Sequence, residues 1–299
     1  MQTTGSRVRL DPYATIVVRP PGVVQIGTGA GGAPLVTMPP WLAPETAAGL
    51  LRWLQTDRGF AELSHRARDA GFAESDTSDL VAALDGAGVL TWTRPASPLR
   101  ARIQGRGPIT DALATELDRR REVRVAVVGD AAAPPVPDQA DLLLLTDALV
   151  VDPVLVQQLM AARMPHLPVR LRDGAGVVGP LVLPGASPCL RCLDRSRTDR
   201  DPAWPAIVCQ LYGRAGRAST TTLGMTVAVA AAEIDRIVAA RYEMTTDEGA
   251  WQPPEDVGSG GSPASLGCTL EVDAHRLRVA TRRWAMHPGC GCGSTPTSG

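Results

Sequence analysis

Four cysteines at two distant points constrain this chain most: Cys189-Leu190-Arg191-Cys192 and Cys290-Gly291-Cys292. A C-x-x-C turn holds two sulfurs close enough to clamp one ion, and a C-x-C can supply two more corners of a tetrahedron. Zn²⁺ takes four such soft or borderline ligands in closed structural sites. The two pairs lie about 100 residues apart, so a shared ion ties the end of the chain to its middle. Free buried thiols or a disulfide are the alternatives. A site closed by Cys189, Cys192, Cys290 and Cys292 has no open coordination position, so the expected Zn(2+) is structural. Its binding energy then counts as folding energy, on the order of 10 kcal/mol at neutral pH. His287 could replace one thiolate, but its place before Pro288 suits a turn. Cys209 and Cys268 are expected to be packed core thiols.

Composition removes several classes of chemistry. All thirty basic residues are arginine, so a Schiff base, a lysine general base and a P-loop lysine are excluded. The net charge of -1 gives no reason to expect nucleic acid or an anionic membrane surface as partner. The N-terminus lacks a signal-peptide core, and the apolar run Leu223–Ala232 is too short to span a bilayer. The expected setting is cytoplasmic. There, six cysteines point to metal or buried thiols before disulfides.

Residues 13–37 read as three short strands (13–19, 23–26 and 34–38), and helical spacing follows at 44–54, 60–70 and 75–86. With a strand at 89–92 this makes a winged-helix-like unit. Residues 94–108, rich in Pro, Gly and Arg, read as a linker. The expected division is therefore 1–94, a linker at 95–108, and a second domain at 109–299. In that domain, continuous apolar runs at 123–128, 141–145 and 167–172, with helical patterns around them, argue for parallel strands covered by helices. A hairpin (268–272 and 277–281) leads into the last cysteine pair. Arg170, Arg172, Arg191, Arg195, Arg197 and Arg200 form a basic cluster near the first pair. They are interleaved with Asp173, Asp194, Asp199 and Asp201, which reads as a salt-bridged surface.

The stretch Pro165–Trp204, PHLPVRLRDGAGVVGPLVLPGASPCLRCLDRSRTDRDPAW, resembles the ThiF/E1-like superfamily. Within it, the resemblance is to the E1-like partner proteins of azoline-forming peptide maturation. The ending His287-Pro288-Gly289-Cys290-Gly291-Cys292 is similar to the second half of their zinc site. The likeness covers about residues 120–292. It implies a ThiF-like α/β domain, and the layout before it resembles their small leader-recognition domain. In such a domain an edge strand takes up a leader peptide by β-augmentation, with a helix as the other wall. A homodimer is also consistent with the resemblance.

The sequence departs from that pattern where ATP should bind. Taking Val123–Val128 as the first strand, it continues Gly129-Asp130-Ala131-Ala132-Ala133-Pro134-Pro135. Prolines donate no N–H and Asp130 repels phosphate. The next strand begins too soon for a second crossover unit, so the domain reads as shortened. Asp147 stands where the family keeps a metal-binding carboxylate, and it also reads as a turn acid. No catalytic or nucleotide-binding residue is assigned, and ATP is not expected as a cofactor. The leading expectation is a catalytically degenerate E1-like scaffold that binds zinc and a leader peptide or protein partner for a separate modifying enzyme. The alternatives are an active ATP-dependent ThiF-like adenylyltransferase, or cyclodehydratase component, and a zinc-stabilised winged-helix regulatory protein.

Overall fold

The computed structural model describes residues 7–29, 33–37, 43–56, 58–93, 97–128, 140–244 and 262–293. The chain divides into two compact units, Met1–Ala96 and Ser97–Gly299.

The first unit holds two small antiparallel sheets and three helices. Strands β2 (Ile16–Arg19), β3 (Val23–Ile26) and β4 (Leu35–Thr37) form one sheet in sequence order. Strand β1 (Arg7–Leu10), which the sequence reading missed, lies between the short β5 (Arg58–Gly59) and β6 (Leu90–Thr93) in the other. Helix α1 (Pro44–Trp53) starts on a proline, whose missing N–H is an orphan at that position anyway. It buries Leu50 and Leu51. Helix α2 (Phe60–Asp69) turns Leu63 and Ala67 inward. In α3 (Glu74–Gly86) the Asp76 carboxylate accepts the Ala73 N–H at 3.0 Å, fixing the first turn. One core, from Val8 to Leu90, joins these elements.

The second unit is built on a seven-stranded sheet. Its strands are β7 (Leu99–Gln104), β8 (Val123–Val128), β9 (Leu142–Thr146), β10 (His166–Arg172), β11 (Ala175–Val178), β12 (Cys268–Asp273) and β13 (Arg278–Arg283). Their order is β13-β12-β11-β10-β9-β7-β8. The half containing β7 to β10 is parallel, and β11 to β13 continue it antiparallel. Both faces are covered, which explains the unbroken leucines of β9. Leu142 and Leu144 enter the core under α4 (Pro108–Asp118) and α8 (Thr220–Met244). Leu143 and Leu145 join the opposite core with α5 (Pro153–Ala161) and the start of α6 (Leu190–Thr198). No helix among the described residues is long and apolar enough to cross a membrane.

Two sequence expectations are corrected. The linker at 95–108 is not one: Leu99–Gln104 forms β7, paired with both β8 and β9. Leu99, Ala101 and Ile103 are buried on one face, while Arg100, Arg102 and Gln104 alternate with them and give the stretch its linker-like composition. Hence the first strand of the parallel unit is β7, not β8. Its strand-to-helix turn is Gly105-Arg106-Gly107, not the Gly129–Pro135 stretch, which lies outside the described residues. The inference of a shortened domain was counted from the wrong strand. Cys209 is also misassigned: it is exposed on α7 (Trp204–Leu211), a helix with no fully buried residue, whereas Cys268 is buried as expected.

Candidate functional sites

The structure brings Cys189, Cys192, Cys290 and Cys292 together, with all four sulfurs within 4.8 Å of one another. Cys189 is the N-cap of α6 and Cys192 sits in its first turn, with the Cys192 N–H on the Cys189 carbonyl at 3.0 Å. The Sγ–Sγ distances are 3.8 Å for Cys189–Cys192, 3.5 Å for Cys189–Cys290 and 3.3 Å for Cys192–Cys292. A tetrahedron with zinc–sulfur bonds of ~2.3 Å has edges of about 3.8 Å. A disulfide, at about 2.0 Å, is excluded by the same distances. Burial pushes the Cys189 thiol well up, and burial with neighbouring Cys192 pushes Cys292 up to about 11. A divalent cation at the centre reverses that penalty by pairing with the thiolates. The donor set and spacing fit zinc, and they leave no position for a substrate.

His287 is not among these donors. Its Nε2 faces Asp199 Oδ2 at 2.9 Å, and its Nδ1 accepts the Gly289 N–H at 3.0 Å. The Cys290 N–H donates to the His287 carbonyl at 2.9 Å. His287 thereby shapes the turn that presents Cys290 and Cys292 and ties it to α6.

A second constellation lies where β7 ends and α4 begins. The Asp147 carboxylate, 5% exposed, faces the first turn of α4. Oδ1 accepts the Ile109 N–H at 3.0 Å; Oδ2 accepts the Thr110 N–H at 3.1 Å and the Thr110 hydroxyl at 2.7 Å. The Thr110 and Thr146 hydroxyls meet at 2.6 Å, and the Asp147 N–H donates to the Val169 carbonyl at 3.0 Å. Asp147 itself adopts φ 67, a left-handed conformation that aspartate tolerates better than most residues. The two glycines are needed for this packing. A Cβ on Gly105 would collide with Thr146 Oγ1, and one on Gly107 would lie 2.8 Å from Asp147 Cγ.

The N-terminus of a helix that follows a parallel strand is a ready seat for a phosphate, because its free N–H groups and dipole favour negative charge. Here the chain's own carboxylate fills it. Sequence reading placed Asp147 at a strand end but missed Gly105, Gly107, Thr110 and Thr146. The available signal was a G-x-G directly before a helix-starting Pro108, following the buried alternation of β7.

In the first unit, β4 pairs with β3 and has no other strand partner among the described residues. The Ile26 N–H donates to the Pro34 carbonyl at 3.0 Å. Antiparallel pairs alternate in bonding, so Val36 also faces β3 while the backbone groups of Leu35 and Thr37 point away from it. Leu35 is 55% exposed, and α3 packs against this strand.

The fold places the chain among known structures. The heterocyclase TruD superposes with a TM-score of 0.65 at 17% identity, covering 96% of this chain and 43% of TruD. A heterocyclase solved with substrate and cofactor gives 0.63 at 16%, covering 96% and 39%. The microcin C7 biosynthetic enzyme MccB, solved with N-formylated MccA, gives 0.51 at 13%, covering 96% of this chain and all of MccB. The chain thus spans well under half the length of the heterocyclases. No family model and no curated protein matches the sequence. The architecture is shared with part of these heterocyclases and with MccB, and at these identities the likeness concerns fold alone.

Proposed function

We propose that this protein is a catalytically inactive E1-like scaffold, held together by zinc on Cys189, Cys192, Cys290 and Cys292. It receives a peptide and presents it to a separate modifying enzyme. The observation that carries the reading is the Asp147 carboxylate on the Ile109 and Thr110 N–H groups. A nucleotide phosphate at that turn would have to displace a buried carboxylate and its three hydrogen bonds. An oxyanion beside that carboxylate would meet strong repulsion in a low-dielectric setting.

Peptide capture is assigned to the open edge of β4. There the Leu35 and Thr37 backbones offer hydrogen bonds to an added strand and α3 forms a wall. The protein is further proposed to work in the cytoplasm as a homodimer, which light scattering tests.

The experiment is fluorescence anisotropy with labelled peptides encoded beside this protein's gene. Saturable binding by the full chain, lost in Leu35→Pro, is the expected result. Leu35→Pro removes an outward N–H without breaking a β3–β4 bond. Equal binding by wild type and Leu35→Pro would remove β4 from the account. An active adenylyltransferase would instead release pyrophosphate when peptide and ATP are added.

A further inference from the structure

The arginines that sequence reading took for a salt-bridged surface are only partly paired. Leu167, Val169 and Leu171 of β10 face the core under α8, so Arg170 and Arg172 point to the opposite face. Register places Arg170 in a row with Val177 and Glu271, and Arg282 opposite Thr269. Helix α6 brings Arg197 to the same place. Glu271 engages Arg172 at 3.2 Å and Asp194 engages Arg197 at 3.3 Å. Arg170 is 6% exposed, and among the described residues its side chain has no ion pair and no hydrogen bond. Burial, with Arg197 and Arg172 adding to it, lowers its pKa to about 10, while the nearby Asp194 and Glu271 carboxylates only partly oppose the shift.

Two tryptophans fix the other guanidinium groups. Arg197 lies 4.8 Å from the Trp204 ring centroid and 5.2 Å from that of Trp284. Arg282 and Arg200 lie over Trp284 at 4.6 and 5.6 Å. Both indoles are anchored through Nε1, to Asp194 and Thr269, each at 3.2 Å. The rings are thus used to position cations rather than left free to stack on a base. Among the described residues, Arg170, Arg172, Arg197, Arg200 and Arg282 approach this face, where Glu271 and Asp194 each already hold one arginine. The deepest of the five is unpaired, and isolating a buried cation is strongly unfavourable unless an anion meets it.

We infer that Arg170, Arg172, Arg197 and Arg282 form a seat for a phosphate dianion, free or carried as a small phosphomonoester. The planar guanidinium fork matches phosphate oxygens in pairs. The excess of positive charge favours a dianion over a single carboxylate. This seat lies on the opposite face of the sheet from α4 and α8 and is independent of the proposed peptide role.

The test is calorimetric titration of the zinc-loaded full chain with sodium phosphate at ionic strength matched by sodium chloride. One saturable site per chain is expected. Arg170→Met should weaken it at least ten-fold, and Arg282→Gln, at the exposed rim, about three-fold. Glycerol 3-phosphate binding more tightly than phosphate identifies a phosphomonoester as the source; weaker binding identifies free phosphate. Either result supports the seat. Absence of saturable heat, or phosphate affinity unchanged in Arg282→Gln, overturns it, and the latter holds even if Arg170→Met fails to fold. Binding of an oligoglutamate peptide without binding of phosphate also overturns it, and would assign the face to an acidic polypeptide.

Discussion

Replacing Asp147 by asparagine should weaken the second unit in a way the geometry makes quantitative. Asparagine keeps the size and tolerates the left-handed backbone at φ 67, so the change isolates the carboxylate's chemistry. One amide oxygen can still accept from Thr110, which uses Oδ2 twice. The amide NH₂ must then face the buried Ile109 N–H, which loses its only side-chain acceptor. A buried donor left unsatisfied costs about 1–3 kcal/mol. Removing a negative charge from a partly buried helix N-terminus costs about 1 kcal/mol more. The total is about 3 kcal/mol. For a unit of about 200 residues, each kcal/mol moves the midpoint by ~2–4 °C, so a drop of about 6–12 °C is expected. Differential scanning calorimetry of the zinc-loaded protein measures it. A drop under about 2 °C would mean that Asp147 does not hold the start of α4, and the filled-seat reasoning would fail with it.

Other perturbations read other parts of the structure. Cys189→Ser or Cys292→Ser should reduce bound zinc below one per chain by mass spectrometry and destabilise the second unit; full zinc content with unchanged melting would contradict the site. His166, fully buried with its Nδ1 on the Met164 carbonyl at 2.9 Å, has a pKa lowered by burial to about 4. Because the unfolded chain takes up this proton near pH 6.5 and the folded one refuses it until about pH 4, stability falls as pH drops through that window. The contribution is up to about 3 kcal/mol. His166→Met should flatten the slope in urea titrations between those pH values; a slope equal to wild type would contradict it.

Legibility in the sequence followed how local the cause was. The Cys189–Cys192 turn, the continuous leucines of β9 and the Cys268–Arg283 hairpin region carry their own patterns, and the structure contains each of them. Strand β7 was hidden because two arginines and a glutamine-terminated alternation in 99–104 look like surface chain. Its centrality comes from β8 and β9 pairing on either side, which no window of residues contains. That one strand carried the larger error, since the glycine turn was then sought after Val128. Asp147 shows the same limit at a single residue. Its partners Ile109 and Thr110 are 38 and 37 positions away, so strand-end aspartate and helix-filling carboxylate read alike. Arg170 was counted with charged neighbours because they are adjacent in sequence, yet strand alternation buries it while Arg172 reaches Glu271.

The central claim is that the start of α4 is closed to nucleotide by Asp147. Titrating ATP·Mg into the zinc-loaded protein tests it most directly, with Arg170→Met alongside so that the separate arginine seat is not counted. No saturable binding in Arg170→Met, with or without peptide, is the expected result. Micromolar binding that persists in Arg170→Met, or peptide-dependent release of pyrophosphate, would contradict the account.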